Sequence, residues 1–449
     1  MPDINAGESG DTFDTIVAAA TPPGRSAIAM IRVDGPLVPN ILLKLAGKCP
    51  EPRLATHVTL RDASGAALED GVIVRFQAPR SFTGNDTAEI TIHGNPRLVD
   101  RMIREVTRLG ARVAEAGEFT ERAVLNGKLD LLQAEAIAEL IESRTASGAA
   151  LALSQLGGSF SRASYEIHAE LLEIMTLVEG ALDFADEGYE FISRARLTER
   201  LALLGSRLRQ LLGTFKRGRA VTEGIRIVLL GQPNSGKSTL MNRLVGTDRA
   251  IVTDQPGTTR DLLRETIELA GVAVTVIDTA GLRETMDAVE GIGVSRAREA
   301  AGSAELVLYL VDASIGLNEA DRQELAQHPD AIQLFTKIDL SRAPTGALGI
   351  SAETSEGFDE MLESLNSRIQ RDFDLTGEGP AITNLRQFLA LEAGLLAIEG
   401  AIESATAGSS EEYIAADLYR AASSIGSLTG AISAADARRE IFSRFCIGK

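Results

Sequence analysis

The run GQPNSGKS at residues 231–238 constrains the fold of this chain more than any other stretch. The apolar segment IRIVLL leads into it and TLMNRLV continues after it as a helix, so the run lies between a strand and a helix. Gly231 and Gly236 let successive backbone N–H groups point at one anion, which the positive end of the helix also attracts. The run therefore predicts a phosphate-binding loop, in which Lys237 reaches the β- and γ-phosphates and Ser238 ligates Mg²⁺.

Four further motifs follow in the order found in guanine-nucleotide switch domains. Asp278 closes the apolar run VAVTVID, where its carboxylate can hold the Mg²⁺ shell, and the N–H of Gly281 can meet the γ-phosphate. PGTTRD at residues 256–261 offers a threonine hydroxyl to the same metal. Asp339 of TKID can accept both N–H groups of a guanine edge, and SAE at residues 351–353 suits the guanine carbonyl. TKID and SAE are weak signals alone, but five pieces in this order predict a guanine-nucleotide switch domain.

Two departures from the common switch pattern bear on activity. Thr336 stands where the NKxD motif has asparagine, so we expect an altered affinity for guanine. Leu282 stands where Ras-type switches have the glutamine that positions the attacking water. Another group must therefore orient that water and offset the developing charge, because no arginine is obviously delivered in cis.

The composition is typical of a globular protein with two to four domains, since 449 residues are 44% hydrophobic and 24% charged. No stretch approaches ~18 consecutive apolar residues, so we expect no membrane-spanning helix. The opening MPDINAGESGDTFD lacks the features of a signal or transit peptide. Cys49 and Cys446 are the only cysteines and could form one bridge, but a single pair makes no disulfide framework, and we expect a reducing cytoplasm.

The charge balance limits the ways in which the chain could meet nucleic acid. A formal net charge of -18 argues against a large basic surface. Between Arg162 and Arg194 there are eight acidic residues and no lysine or arginine. If the chain acts on RNA, local basic patches or a partner must supply much of the contact.

The hydrophobic pattern changes three times along the chain. Up to about residue 125, strand-like runs such as AIAMIRV and AEITIHG alternate with turns, which predicts an α+β region. From about 128 to 213 apolar residues recur at helical spacing, and GTFKRGRAVTEG after them is interpreted as a linker. From 225, short apolar runs separated by helix-length segments predict a largely parallel α/β sheet, and helices return after Pro380. The two helical stretches either pack together, with the α/β domain inserted between them, or form separate domains; the first explanation is favoured.

The chain ends in SRFCIGK, an apolar patch around Cys446. Its last four residues have the length of a prenylation box, but Gly448 is not aliphatic and Lys449 is not an accepted last residue. The other interpretations are a frayed terminus and a tail tucked into a site.

Across nearly its whole length, the chain resembles the MnmE (TrmE) family of tRNA-modification GTPases. The stretches that carry the resemblance are DTIVAAATPPGRSAIAMIRVDGP, SFTGNDTAEITIHGN, GEFTERAVLNGKLDLLQAEAIAELI, the switch motifs, SLTGAIS and the terminal IFSRFCIGK. The resemblance implies a multidomain fold. Its parts are an α+β N-terminal folate-binding and dimerising domain at 1–125, an all-α helical domain from 126–220 and 379–449, and an inserted α/β Ras-like P-loop GTPase domain at 221–378.

The resemblance also implies an activity and partners. Proteins of this family form homodimers and work with a flavin-dependent partner, MnmG, in a heterotetramer or larger complex in the bacterial cytoplasm. Together they install a carboxymethylaminomethyl-type group on the wobble uridine of certain tRNAs. The one-carbon unit is attributed to a tetrahydrofolate, either the 5-formyl or the methylene form. Hydrolysis of GTP to GDP drives opening and closing of the paired switch domains.

Matched by family position, K⁺ takes the place of an arginine finger and stabilises charge on the transferred group. The implied K⁺ ligands are Asn234, Thr253, Gln255 and Thr258, and the implied Mg²⁺ ligands are Ser238 and Thr259. Glu290 in DAVEGIG matches the carboxylate that orients the water, although by sequence alone it is an ordinary exposed helix acid. The implied nucleotide-binding residues are Asn234, Ser235, Gly236, Lys237, Ser238, Thr239, Thr253, Asp254, Gln255, Pro256, Gly257, Thr258, Thr259, Asp278, Thr279, Ala280, Gly281, Thr336, Lys337, Asp339, Ser351, Ala352 and Glu353.

The folate contacts of the family match Arg32, Glu89, Lys128 and Lys449. A carboxylate suits the adjacent N–H donors of a pterin, and cations suit its carbonyl or its acidic tail. Without the resemblance, these residues are ordinary charges on strands or a helix.

The resemblance also favours a tail docked against a folate site, in this chain or its dimer mate. Phe442, Phe445 and Ile447 are expected to anchor it. Cys446 is then either a candidate catalytic thiol or a buried structural one.

Two other functions compete. A GTPase switch in ribosome assembly, without modification activity, usually carries a basic RNA-binding module, and none is visible in this sequence. A folate-binding regulator that has lost hydrolysis is the other, and the intact switch motifs argue against it.

Overall fold

The chain forms two compact units in the computed structural model. The first unit consists of residues 1–138 and 426–449, and the second of residues 139–425. The residues that the structure describes are 14–184, 191–246, 264–278, 304–430, 441–442 and 445–448.

A six-stranded sheet is the frame of the first unit. Its strands are Ile16–Ala19 (β1), Ser26–Asp34 (β2), Thr56–Arg61 (β3), Ala67–Phe76 (β4), Thr87–Gly94 (β5) and Arg112–Val113 (β6), in the order β3-β4-β5-β2-β1-β6. Neighbouring strands are antiparallel except β1 and β6, which pair in parallel. In β5, Ala88, Ile90 and Ile92 alternate with more exposed residues and are at most 2% exposed, so one face of this strand forms core.

Two helices pack into the core of this sheet. Val38–Ala46 (α1) contributes Ile41 and Leu42, and Pro96–Arg108 (α2) contributes Met102 and Val106. The side chain of Asn95 caps α2 by accepting a hydrogen bond from the N–H of Arg97. Two further helices follow in the chain, Glu118–Leu125 (α3) and Leu131–Glu142 (α4).

Nine helices follow α4 in the part of the chain that the structure describes. In order they are Ala146–Leu156 (α5), Ser159–Asp183 (α6), Arg194–Gly213 (α7), Phe215–Thr222 (α8), Lys237–Val245 (α9), Glu319–Gln327 (α10), Phe358–Asp372 (α11), Leu385–Thr406 (α12) and Glu411–Thr429 (α13). The residues whose four-three spacing predicts the last helix are core residues. Ile414, Leu418, Ala421, Ile425 and Leu428 are all at most 1% exposed.

The second unit holds a six-stranded α/β sheet. Its strands are Ile225–Gly231 (β7), Arg264–Leu269 (β8), Val272–Asp278 (β9), Leu306–Asp312 (β10), Ile332–Thr336 (β11) and Leu348–Ile350 (β12), in the order β12-β11-β10-β7-β9-β8. All neighbours are parallel except β8, which is antiparallel to β9. This is the largely parallel sheet that the sequence predicts.

Helices from the two flanks of this sheet pack together. Arg209 of α7 and Glu399 of α12 form an ion pair with 2.5 Å between nitrogen and oxygen. The side-chain amide of Gln155 in α5 donates a hydrogen bond to the carbonyl oxygen of Ala381 across 2.7 Å. The expected multidomain fold, with an α/β domain inserted into a helical one, is confirmed. The residue boundaries given for the domains stay a prediction.

The linker predicted from GTFKRGRAVTEG is wrong, because this stretch contains helix α8. Ala220 is 2% exposed and Val221 packs with it against the core of the α/β sheet. Arg217 is 7% exposed and donates to the carbonyl oxygens of Glu378 and Gly379 at 3.4 and 3.3 Å. Such tertiary contacts outweigh the weak helix propensity of a glycine-containing segment.

Among the described helices, none combines the length and the hydropathy needed to cross a membrane. Cys49 and Cys446 are both free thiols.

Candidate functional site

The phosphate loop joins β7 to α9. Gly231 has a φ of 139°, and a Cβ there would lie 2.3 Å from the carbonyl oxygen of Leu310, so the position requires glycine. Asn234 and Gly236 also have positive φ angles, of 63° and 90°. These turns curve the main chain just before the N-terminus of α9, where backbone N–H groups and the helix dipole attract an anion.

Lys237, the first residue of α9, is 6% exposed. Its ammonium group donates hydrogen bonds to the carbonyl oxygens of Gly231 at 2.9 Å and Gln232 at 2.8 Å. The positive charge is therefore held beside the main chain of the loop, where phosphate oxygens are expected.

Strand β9 brings Asp278 to the start of α9. Ser238 Oγ donates a hydrogen bond to Asp278 Oδ2 across 2.6 Å, and Asp278 is 4% exposed. Hydroxyl and carboxylate oxygens are the hard ligands that Mg²⁺ prefers. This oxygen pair therefore fits the predicted Mg²⁺, while Thr259, the other expected ligand, lies outside the described residues.

The loops expected to bind guanine are joined to each other and to the phosphate loop. Thr336 Oγ1 donates to the carbonyl oxygen of Ser235 across 2.8 Å and lies 3.2 Å from that of Val311. The N–H of Ile338 donates to the carbonyl oxygen of Ile350 across 3.3 Å, which connects TKID to the segment before SAE. The predicted base site and phosphate site are thus neighbours.

A charged pair supports the TKID loop. Lys337 has a φ of 57°, and its ammonium group donates to Asp312 across 2.6 Å. Burial opposes ionisation of Asp312, but hydrogen bonds from Lys337 and Ser314 outweigh it and hold the pKa of that carboxyl below its ordinary value. Asp339 is exposed and Ser351 is fully buried, so the carboxylate is the accessible group of the two.

Several expected site residues lie outside the described residues. Of the four expected K⁺ ligands, Asn234 alone lies inside them, so that ligand set stays a prediction. Those outside are Thr253, Asp254, Gln255, Pro256, Gly257, Thr258, Thr259, Thr279, Ala280, Gly281, Glu290 and Lys449.

Arg32 and Glu89 face each other on neighbouring strands of the first unit. They are register partners in β2 and β5, and their side chains form an ion pair across 2.8 Å. The Arg32 guanidinium also lies 5.6 Å from the ring centroid of Phe82 and 5.7 Å from that of Phe119. Within the described part of the chain, Arg32 Nε is a buried donor without a hydrogen-bond partner. Phe119 is fully buried and Phe82 is 40% exposed, so the donor and acceptor groups beside the accessible Phe82 ring fit a flat polar ligand such as a pterin.

Lys128 lies beside the loop that carries Phe82. Its Cε would be 3.2 Å from a Cβ placed on Gly84. Nearby, the side-chain amide of Asn126 donates to the carbonyl oxygen of Thr83 across 2.6 Å. The structure thus brings three of the four expected folate residues, Arg32, Glu89 and Lys128, to one region.

A buried charge network under this loop was not predicted from the sequence. Asp34 is fully buried and accepts hydrogen bonds from Thr87 at 2.7 Å and Arg122 at 3.1 Å, and also from Thr83. Arg122 is 2% exposed and also pairs with Glu118 at 2.8 Å. Asp34 and Arg122 are 88 residues apart, so spacing gives no signal of their contact.

The C-terminal tail belongs to the first unit and packs against the N-terminal part of that unit. Ile447 pairs with Ala116 through a backbone bridge. Gly448 has a φ of 102°, and a Cβ there would lie 2.1 Å from the carbonyl oxygen of Ala19, at the end of β1. The frayed terminus and the prenylation box are therefore disfavoured, and a docked tail agrees with the structure.

The anchoring side chains differ in part from the expectation. Phe442 and Phe445 are 3% and 7% exposed and pack with Leu131 of α4. Ile447 was expected to anchor the tail, but its side chain is 59% exposed and its backbone makes the contact instead. Cys446 is exposed, which contradicts a buried structural thiol and leaves the sulfur accessible.

The fold and the phosphate loop together define a P-loop GTPase. Two family models match the chain, one described as "GTP-binding protein TrmE N-terminus" over residues 15–128 and one as "MnmE helical domain" over residues 131–446. The chain belongs to the MnmE family of tRNA modification GTPases.

Relatives match over almost the whole length. The chain is 41% identical over 447 residues to the tRNA modification GTPase MnmE of Nitrosococcus oceani, with 97% of each chain covered. It is 42% identical over 448 residues to that of Azoarcus sp., with 97% of this chain and 98% of the relative covered. Among solved structures, the G domain of the T. maritima FeoB iron transporter is 24% identical, covering 32% of this chain and 99% of that chain, with a TM-score of 0.24.

Proposed function

We propose that this chain is a potassium-dependent GTP hydrolase that installs a carboxymethylaminomethyl-type group on the wobble uridine of certain tRNAs. The observation that carries the proposal is the phosphate loop with its Ser238–Asp278 pair, in a member of this family. Its relatives bear the name tRNA modification GTPase, so tRNA is the proposed substrate.

The chain's own groups account for nucleotide binding. The N–H groups of the loop and Lys237 bind the β- and γ-phosphates, and Asp339 accepts the two N–H donors of guanine. Ser238, Asp278 and Thr259 would hold Mg²⁺, and Asn234, Thr253, Gln255 and Thr258 would hold K⁺. When bound, these cations neutralise negative charge on the phosphate oxygens.

Glu290 is proposed to orient the attacking water, because Leu282 has no polar group for this task. Glu290→Ala should slow hydrolysis by roughly 10²-fold or more while GTP affinity stays near normal. Hydrolysis should also be faster in K⁺ than in Na⁺, which is too small for the same ligand set. Equal rates in the two salts would contradict potassium dependence.

The first unit is proposed to bind the tetrahydrofolate derivative, in its 5-formyl or methylene form. Glu89 would accept N–H donors of the pterin, and Arg32, Lys128 and Lys449 would meet its carbonyl or its anionic tail. The unpartnered Arg32 Nε and the adjacent ring of Phe82 support this assignment. Cys446 stays a candidate catalytic thiol because it is exposed.

The proposed assembly is a homodimer that joins the flavoprotein MnmG in a heterotetramer or larger complex. A tRNA substrate and two free thiols agree with work in a bacterial cytoplasm. The proposed domains are 1–125, 126–220, 221–378 and 379–449.

The proposal is tested in cells whose only copy of the gene encodes Lys237→Ala. We expect wobble-uridine modification, measured by mass spectrometry of digested tRNA, to fall to the level of the deletion strain. A matched control is Lys48→Ala, since Lys48 is an exposed lysine of the first unit, and it should retain modification. Full modification with Lys237→Ala would contradict the proposal.

A further inference from the structure

The two units carry very different charges. The first unit holds 19 lysines and arginines against 20 acidic residues, a net charge of -1, and the second holds 26 against 43, a net charge of -17. Phosphate-backbone contacts need local cationic side chains, and a strongly acidic surface repels nucleic acid. A contact surface for RNA is therefore to be sought on the first unit.

Helix α2 presents a row of arginines on this unit. Arg97, Arg101, Arg104 and Arg108 follow one another at steps of four, three and four residues, and all four are exposed. That spacing places them on one side of the helix. The opposite side carries Met102 in the core. We call these four residues the arginine face; at ~1.5 Å rise per residue it is about 16 Å long.

Three members of the arginine face form ion pairs with carboxylates. Arg101 pairs with Asp62 at 3.1 Å, Arg104 pairs with Asp100 at 2.8 Å, and Arg108 pairs with Glu105. The arginine side chains nevertheless remain 52%, 71% and 68% exposed. A guanidinium has five N–H donors, so one carboxylate contact leaves most of them facing solvent. The Arg104–Asp100 pair is exposed on both sides and contributes at most about 1 kcal/mol. The carboxylates of Asp62 and Glu105 are largely buried, so Arg101 and Arg108 keep these partners and offer their remaining N–H donors to another anion.

We propose that the arginine face binds the phosphate backbone of the tRNA substrate. This inference rests on the proposed function, because that function supplies the RNA. Charge complementarity selects the partner: a duplex presents one phosphate charge per ~1.7 Å, so about 16 Å of helix faces many phosphates. The planar guanidinium also fits phosphate oxygens better than an ammonium does. Contacts to the phosphate backbone of the RNA do not discriminate between base sequences. The arginine face therefore strengthens binding to all substrate tRNAs alike.

The test compares the full-length protein with the variant Arg97→Gln/Arg101→Gln/Arg104→Gln/Arg108→Gln. A matched control removes four exposed arginines of the second unit, Arg162→Gln/Arg196→Gln/Arg322→Gln/Arg371→Gln, and so makes the same change in net charge. Binding of transcribed substrate tRNA is measured across a salt series, and GTP turnover reports on the second unit's fold. Circular dichroism of the full-length variants, compared with the wild type, reports on overall folding.

We expect the α2 variant to bind tRNA roughly tenfold or more weakly near physiological salt, with a salt slope shallower by about 1 per arginine that contacts phosphate. GTP turnover should match the wild type, and the control should lose little binding. If the α2 variant and the wild type have equal affinity and salt slope, the arginine face does not bind tRNA, and the proposed function remains intact. Equal losses in both variants would also overturn the role of the arginine face, because bulk charge would then explain the effect. No tRNA binding by the wild type would instead overturn the proposed substrate.

Discussion

Ser238 Oγ lies 2.6 Å from Asp278 Oδ2, so the hydroxyl at the start of α9 and the carboxylate at the end of β9 share one hydrogen bond. The two residues are 40 positions apart in the chain, and the parallel pairing of β7 with β9 brings them together. Oxygen ligands at this edge of the sheet are where a nucleotide-bound Mg²⁺ is expected.

Ser238→Ala should therefore weaken Mg²⁺ binding, so that hydrolysis needs a higher Mg²⁺ concentration, and slow turnover by roughly 10²-fold. Ser238→Thr keeps the hydroxyl and should retain most of the activity. GTP turnover measured across a Mg²⁺ titration checks both variants. An alanine variant with the wild-type Mg²⁺ requirement and rate would remove Ser238 from the metal site.

The hydroxyl group of Thr336 is expected to hold the TKID loop to the phosphate loop. Thr336→Val preserves the shape but removes the donor to the Ser235 carbonyl oxygen. Leaving the buried carbonyl oxygen without its hydrogen bond costs about 1–3 kcal/mol of free energy in the folded loop. Because this loop binds the phosphates, GDP affinity should fall roughly tenfold. Thr336→Ser is the matched control, and Thr336→Asn should tighten binding because its amide can donate to both nearby carbonyls. Fluorescent GDP titration measures all three, and unchanged affinity for the valine variant would count against this role.

Arg122 is expected to stabilise the first unit because it neutralises the fully buried Asp34. Arg122→Leu leaves that carboxylate without its cation, which costs about 3–5 kcal/mol. The melting temperature should fall by about 6 °C or more. Arg61→Leu, at an exposed arginine of the same unit, serves as the control and should change it little. Equal melting temperatures for the two variants would refute the stabilising role of the network.

Gly448 is expected to be required for docking of the tail. Gly448→Ala would place a methyl group 2.1 Å from the carbonyl oxygen of Ala19. Gly47→Ala is the matched control, because Gly47 also has a positive φ, of 71°, but its Cβ would meet open space. We expect the first variant to lose folate binding and tRNA modification while GTP turnover stays normal. Normal folate binding by Gly448→Ala would show that the docked tail is not required for the folate site.

Much of this architecture follows from sequence patterns that are local. The GQPNSGKS run, the period-two strands and the four-three steps of Ile414 to Leu428 each describe one element and its neighbours. Their physical causes, backbone geometry and one-sided burial, act over a few residues, so they are visible in the sequence.

The features that the sequence missed depend on contacts between distant residues. Asp34 and Arg122 meet across 88 positions, and the helix at Phe215–Thr222 forms where its neighbours supply burial that local propensity does not. The exposure of Ile447 has a similar cause, since the backbone bridge to Ala116 decides how that side chain points. Tertiary contacts of this kind have no periodic signal.

The most direct test of the account asks which base Asp339 recognises. Xanthine has a carbonyl where guanine has an amino group, so Asp339→Asn exchanges an acceptor for a donor that matches xanthine. Turnover of GTP and of xanthosine triphosphate is measured on the purified full-length protein and on this variant, with Mg²⁺ and K⁺ present. The wild type should hydrolyse GTP alone, and the variant should lose GTP turnover by roughly 10²-fold and gain that of xanthosine triphosphate. If the variant hydrolyses GTP as fast as the wild type does, this loop is not where the chain binds and cleaves guanine nucleotides.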